Sequence, residues 1–188
     1  MVEVSKFNRR DVLKFGLAGV ISASVPTLLT SGEAYAANGG SWRVSFRHAH
    51  TGETFNGVYR VGDRYLPNAF ERISYVMRDF RTQEVFPMDP HVIDILSTVQ
   101  RRSGTRTMVD ALSAYRSPKT NAMLRNSSTR VARNSYHMYG QAVDIRLKGF
   151  SSRGVRDIAK SLKIGGVGYY ARSNFVHVDT GDVRSWQS

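Results

Sequence analysis

The 188-residue chain contains no cysteine. That absence removes a disulfide framework, a thiolate metal site and a cysteine nucleophile together. Acidic residues are also few: 15 Asp and Glu stand against 27 Lys and Arg, a formal charge of +12. Such an excess raises nucleic acid, an anionic membrane or another polyanion as a partner. No stretch reaches the roughly 20 strongly apolar residues that a membrane span needs. No internal repeat, low-complexity tract or linker divides the chain after its first 36 residues. What is present is apolar material, 41% of residues with 11% aromatic, enough for one real core.

Residues 1–36 read as an export signal. Lys6, Arg9, Arg10 and Lys14 precede an uncharged stretch of 18 residues, Phe15 to Gly32, diluted by Gly16, Gly19 and Pro26. Ala34-Tyr35-Ala36 supplies a small-x-small pattern, with the cut expected after Ala36. Arg9-Arg10 followed by Val12-Leu13-Lys14 resembles a bacterial twin-arginine signal, which serves proteins exported already folded. An uncleaved amino-terminal anchor is the other reading. Residues 37–188 keep 23 of the 27 basic and 12 of the 15 acidic side chains, and 19 of those cations are arginine. Arginine suits bidentate recognition of carboxylate or phosphate. The arginines are scattered, and an exported protein seldom meets nucleic acid, so no nucleic-acid partner is expected. A periplasmic monomer, without stable membrane insertion once the signal is cut, is the expectation.

The remaining chain reads as one α+β domain. Trp42 to Phe46 and Thr54 to Tyr65 are rich in β-formers, and Asn56-Gly57 is read as the tight turn between them. Pro67 suits a first helical turn, with Phe70, Ile73, Met77 and Phe80 at helical spacing. Asp89-Pro90 caps a second helix that ends at Gly104, and Ser117-Pro118 starts a short one through Leu124. Met108 to Tyr115 reads as a strand between them. Asn126 to Asn134 reads as an exposed polar loop. Gln141 to Leu147 alternates, with Val143, Ile145 and Leu147 on one face and Ala142, Asp144 and Arg146 on the other. Ser152 caps a last helix to about Leu162. Gly165-Gly166-Val167-Gly168 is read as a flexible turn, and Phe175 to Asp179 as the final strand.

Chemistry concentrates in the second half. SYHMYGQAVD, Ser135 to Asp144, places a histidine seven residues before an aspartate. A carboxylate on a strand face is expensive unless solvated, paired or bound to metal. FVHVD then puts His177 and Asp179 on one strand face, about 7 Å apart. Two imidazoles and a carboxylate make a three-ligand zinc site with a fourth position open. On spacing alone, a hydrogen-bonded structural network is the commoner use of such groups.

SYHMYGQAVD has the form SxHxxGxAxD, and it resembles the first motif of the D-Ala-D-Ala carboxypeptidase-like zinc metallopeptidases. FVHVDTG resembles their second, histidine-bearing strand, and Ala114-Tyr115-Arg116-Ser117 resembles the family's (G/A)-Y/F-R-S signature. The twin-arginine signal and the stretch from Gly165 to Gly181 are similar to the exported murein endopeptidase K branch. The resemblance implies an α+β fold with an antiparallel sheet and flanking helices, carrying the site in a groove. It implies Zn2+ held by His137, Asp144 and His177, with peptidoglycan as substrate and partner. It implies hydrolysis of peptide cross-links, first those between two diaminopimelates, then D-Ala-diaminopimelate bonds. Carboxypeptidase action on stem peptides, D,D or L,D, and a non-catalytic wall-binding module are the alternatives. Arg116 is expected to stabilise the oxyanion or hold a substrate carboxylate.

One departure stands out. Many relatives carry a glutamate base three residues before the last histidine, where this chain has Asn174. Asp179 is expected either to replace that base or to orient a metal ligand. His48-x-His50 alternates like a ligand pair but is expected to pack or to edge the groove, and His91 to be solvated. The glycine run lacks the lysine and following helix of a phosphate loop. Tyr169 and Tyr170 either line the groove or pack on the sheet.

Overall fold

Three helices begin at a proline, the residue that fits a first helical turn because the amide hydrogen it lacks would go unused there. They are α1 (Pro67–Val76), α2 (Pro90–Arg102) and α3 (Pro118–Ser127). Asp89 caps α2 by accepting from His91 N at 2.9 Å, and Ser117 caps α3 from Thr120 N at 3.2 Å. The fourth helix, α4 (Ser152–Leu162), is capped by Ser151, one residue earlier than its sequence suggests. The computed structural model describes residues 40–129 and 131–188; the expected export signal, residues 1–36, lies outside them. Among the described residues no helix is long and apolar enough to cross a membrane.

The strands are β1 (Ser41–His48), β2 (Thr54–Val61), β3 (Arg64–Tyr65), β4 (Val109–Ser113), β5 (Ala142–Leu147), β6 (Gly166–Tyr170), β7 (Phe175–Asp179) and β8 (Arg184–Gln187). They form one sheet in the order β3-β2-β1-β4-β5-β7-β6-β8. The expected α+β class holds. Most pairs are antiparallel, while β1 with β4 and β6 with β8 run parallel, so the sheet is mixed. Helices α2 and α4 cover one face, where α2 meets β1, β5 and β7 and α4 meets β5, β6 and β7. Val92, Ile93, Leu96 and Val99 of α2 pack there with Val143, Ile145 and Leu147 of β5. Each such fully buried side chain contributes about 1.5–3 kcal/mol. The other face of β5, carrying Asp144, is left for the site.

Two expectations change. Asn56-Gly57 lies inside β2, opposite Ser45 and Val44, rather than in a turn. The reversal comes earlier, where the buried His48 accepts through Nδ1 from His50 N and Thr51 N and Gly52 takes φ +76°. A histidine side chain organises this turn, which dipeptide preferences do not register. Gly166-Val167-Gly168 is strand, not turn, because β6 is paired on both edges.

Candidate metal centre

Strand register builds most of the site. Asp144 on β5 lies directly across from His177 on β7, which lies across from Gly168 on β6. The same row reaches Ser113 on β4 and Trp186 on β8. Opposed residues on adjacent strands bring their side chains within about 5 Å. One row therefore sets a carboxylate, an imidazole and an indole side by side.

His137 arrives from outside the sheet, on a 3-10 turn (Tyr136–Tyr139) that Gly140 ends at φ +66°. Asp89 N donates to Gly140 O at 2.9 Å and Gln141 N to Tyr136 O at 3.1 Å, tying the turn to the starts of α2 and β5. A Cβ at Gly140 would run into the Pro87 carbonyl oxygen. The glycine of SxHxxGxAxD is thus needed both for its left-handed backbone and for this approach. Gly140→Ala should cost about 3 kcal/mol, read as a shift in urea midpoint. An unshifted midpoint would show that the turn tolerates a side chain.

The three candidate ligand atoms lie within 4.8 Å of one another. Asp144 Oδ1 is 2.9 Å from His177 Nδ1 and 3.4 Å from His137 Nε2, and the two ring nitrogens are 3.2 Å apart. Each ring's second nitrogen is committed elsewhere. His137 Nδ1 donates to Ala114 O at 2.7 Å and His177 Nε2 donates to Asp179 Oδ2 at 2.9 Å. A carbonyl and an ionised carboxylate only accept, so both donating nitrogens carry their protons. Two lone pairs and an anionic oxygen therefore converge on one point. Such a set needs a cation or a proton at its centre.

The electrostatics say the same. Burial alone would lower His177, but hydrogen bonding to Asp144 and Asp179 overrides it and pushes the imidazole up to about 9. Burial likewise opposes charge on Asp144, yet the facing His137 and His177 hold its carboxyl below the usual range. His137 is lowered by its burial. One proton thus sits in the cluster of the metal-free protein at neutral pH. Two neutral imidazoles and one carboxylate on an open face are a donor set that suits zinc.

Arg116 flanks the cluster. Its backbone N donates to His137 O at 3.1 Å, so the Ala114-Tyr115-Arg116 segment grips His137 at both ring and carbonyl. Its Nη2 donates to Ser113 Oγ at 3.2 Å and lies 3.9 Å from Asp144 Oδ2. Its buried Nε has no hydrogen-bond partner among the described residues. Burial lowers its pKa, partly offset by Asp144.

Asp179 lies behind His177 and is 0% exposed. Its Oδ1 accepts from Gly166 N at 3.1 Å and Gly181 N at 2.9 Å. Arg184 clamps both oxygens, at 3.0 and 2.7 Å, and His177 adds a further donor. A carboxylate offers about four lone-pair sites, so none remains free for another proton.

A cavity of about 430 Å³ opens over the cluster, lined by Arg116, His137, Asp144, His177, Tyr170, Arg184 and Trp186, with the 131–136 segment as its rim. Asn174 stays outside it, exposed on the β6–β7 turn at φ +52°. His50 stacks on Phe80 at 4.1 Å and His91 is exposed, both apart from the cluster. Of the two tyrosines, Tyr170 lines the cavity and Tyr169 is buried in the core. Arg184 and Trp186 escaped the sequence reading. Their only signal was an alternating Arg-Ser-Trp-Gln with no turn residue inside it.

Comparison with known proteins shows the family. A "Probable peptidoglycan L,D-endopeptidase MepK" of Haemophilus influenzae is 42% identical over 145 residues, covering 77% of this chain and 78% of its own. The "Peptidoglycan L,D-endopeptidase MepK" of Escherichia coli K12 is 37% identical over 179 residues, covering 95% and 97%. No solved structure matches the chain. The family model for Peptidase_M15_2, described as peptidoglycan L,D-endopeptidase MepK, matches residues 36–186, and the chain belongs to that family.

Proposed function

We propose that the protein is an exported, zinc-dependent peptidoglycan endopeptidase that cuts cross-links between diaminopimelate residues, with D-Ala-diaminopimelate links second. The observation carrying this is the convergence of His137 Nε2, His177 Nδ1 and Asp144 Oδ1 on one point at the floor of a cavity. The relatives named L,D-endopeptidases supply the substrate class. The signal in residues 1–36 supplies the route, through the twin-arginine pathway to the periplasm.

Zinc in such a site supplies Lewis-acid polarisation of a carbonyl and an acidified water. The chain's own residues do the rest. His137 and His177 present fixed lone pairs because Ala114 O and Asp179 hold their other nitrogens. Asp179 takes the orienting role of the two foreseen for it, since its lone pairs are spent and His177 stands between it and Asp144. Arg116 presents a fixed cation beside Asp144 for the developing oxyanion or for a substrate carboxylate.

The proton in the cluster gives a pH signature. His177 is raised, so the protonated cluster stabilises the metal-free fold below pH 6.5, and this contribution fades as pH rises through about 9. Zinc competes with that proton, so apparent zinc affinity should rise with pH up to about 9. Uptake at pH 7 should release about one proton per zinc. Calorimetry in buffers of different ionisation enthalpy checks this, and proton-free uptake would contradict a protonated cluster in the metal-free protein.

Purified cross-linked muropeptide dimers of defined linkage test the function directly. Chelator-sensitive cleavage of the diaminopimelate-diaminopimelate dimer is expected. Cleavage restricted to terminal D-Ala would make the protein a carboxypeptidase, and zinc-loaded protein inert on every dimer would make it a binding module.

A further inference from the structure

Gly168 and Trp186 are opposed on β6 and β8, and a Cβ at Gly168 would lie 2.5 Å from the indole ring. The bare backbone at 168 therefore lets the indole lie over β6, beside the His177 ring at 5.3 Å between centroids. In that position Trp186 Nε1 is 3.2 Å from the hydroxyl of Tyr170. An indole N–H only donates, so the direction is fixed and the phenol oxygen accepts. The phenol's own O–H is left to donate, and among the described residues it has no acceptor.

The ring is held as firmly as the hydroxyl. Tyr170 stacks on Phe175 at 4.4 Å and 10°. Phe175 and His177 share one face of β7, two residues apart, so the phenol stands about 7 Å along the strand from the cluster. Tyr170 and Arg116 both line the cavity. Accepting from Trp186 also polarises the hydroxyl and makes it a better donor.

Resting on the endopeptidase reading, we infer that Tyr170 is a catalytic residue: its hydroxyl donates a hydrogen bond to the scissile carbonyl oxygen as negative charge develops there, with Trp186 as the residue that positions it. Arg116 and Tyr170 then serve the same oxygen, one as a fixed cation and the other as a neutral donor. No proton is transferred in this role. The bond shortens and strengthens as the carbonyl becomes tetrahedral, so its effect falls on kcat rather than on KM.

The test uses the purified zinc-loaded protein and the dimer that the wild type cleaves. Tyr170→Phe keeps the stack on Phe175 and should lower kcat about 100-fold with KM, zinc content and melting temperature unchanged. Trp186→Phe removes the N–H and should lower kcat about tenfold. The double variant should be no slower than Tyr170→Phe alone, because the indole acts only through the phenol. Unchanged kcat in Tyr170→Phe, or fully additive losses in the double variant, would overturn the inference and leave the endopeptidase reading standing. A wild type inert on every dimer would overturn both.

Discussion

Asp144→Asn should reduce turnover at least about 1,000-fold and abolish stoichiometric zinc. Asp144 supplies the one anionic oxygen at the convergence point, 2.9 Å from one imidazole and 3.4 Å from the other. An amide of the same shape keeps the packing but offers a neutral, poorer donor. A divalent ion then faces three neutral ligands, and the several kcal/mol of transition-state stabilisation it supplies are lost with it. Metal analysis by mass spectrometry and turnover on a muropeptide dimer measure the two effects together. Normal zinc content with normal turnover would remove Asp144 from the centre.

Asp179→Asn should act differently. The carboxylate is 0% exposed, accepts from His177 and is clamped by Arg184. Breaking a buried pair costs about 3–5 kcal/mol. Arg184 is 40% exposed on its side chain and can rehydrate, which brings the expected loss toward about 2–3 kcal/mol. An asparagine oxygen still accepts from His177 Nε2, but less strongly, so zinc affinity should fall about 10–100-fold. Excess zinc should then restore kcat. A kcat that stays low at saturating zinc would return Asp179 to the role of general base. The pH dependence of stability offers a parallel check: burial opposes the charge, but His177 and Arg184 hold Asp179 below the usual range. Its contribution is present above about pH 4 and is lost as pH falls, so the variant should flatten the acid limb.

Much of this centre was legible because the motifs coincide with backbone devices. SxHxxGxAxD reads as a left-handed glycine closing a short turn, followed by a strand that alternates faces. FVHVD alternates in the same way, and the two aliphatic faces forced both strands against α2 and α4. Register then followed from which faces were buried. Other features depend on contacts that no local pattern carries. The His48 turn is built by a side chain bonding to its own reversal, so the Asn56-Gly57 dipeptide misled. The glycines of β6 read as a turn because the side chains that crowd them, Arg184 at Gly166 and Trp186 at Gly168, come from β8, farther along the chain. β8 is short, parallel and at the sheet's edge, so it shows neither a hairpin signal nor a buried face. The two roles open to Asp179 could not be separated by strand spacing. The orienting role proposed for it rests on its five donors, counted against the lone pairs a carboxylate has.

The central claim is that a metal held by His137, Asp144 and His177 drives cleavage of peptidoglycan cross-links. The most direct measurement incubates the protein with intact sacculi and resolves the released muropeptides by mass, first with zinc, then after chelation, then after zinc is restored in stoichiometric amount. Loss of cross-linked dimers that stops on chelation and resumes on restoration is the predicted result. Dimers lost equally in chelator, or sacculi left intact by zinc-loaded protein, would contradict it.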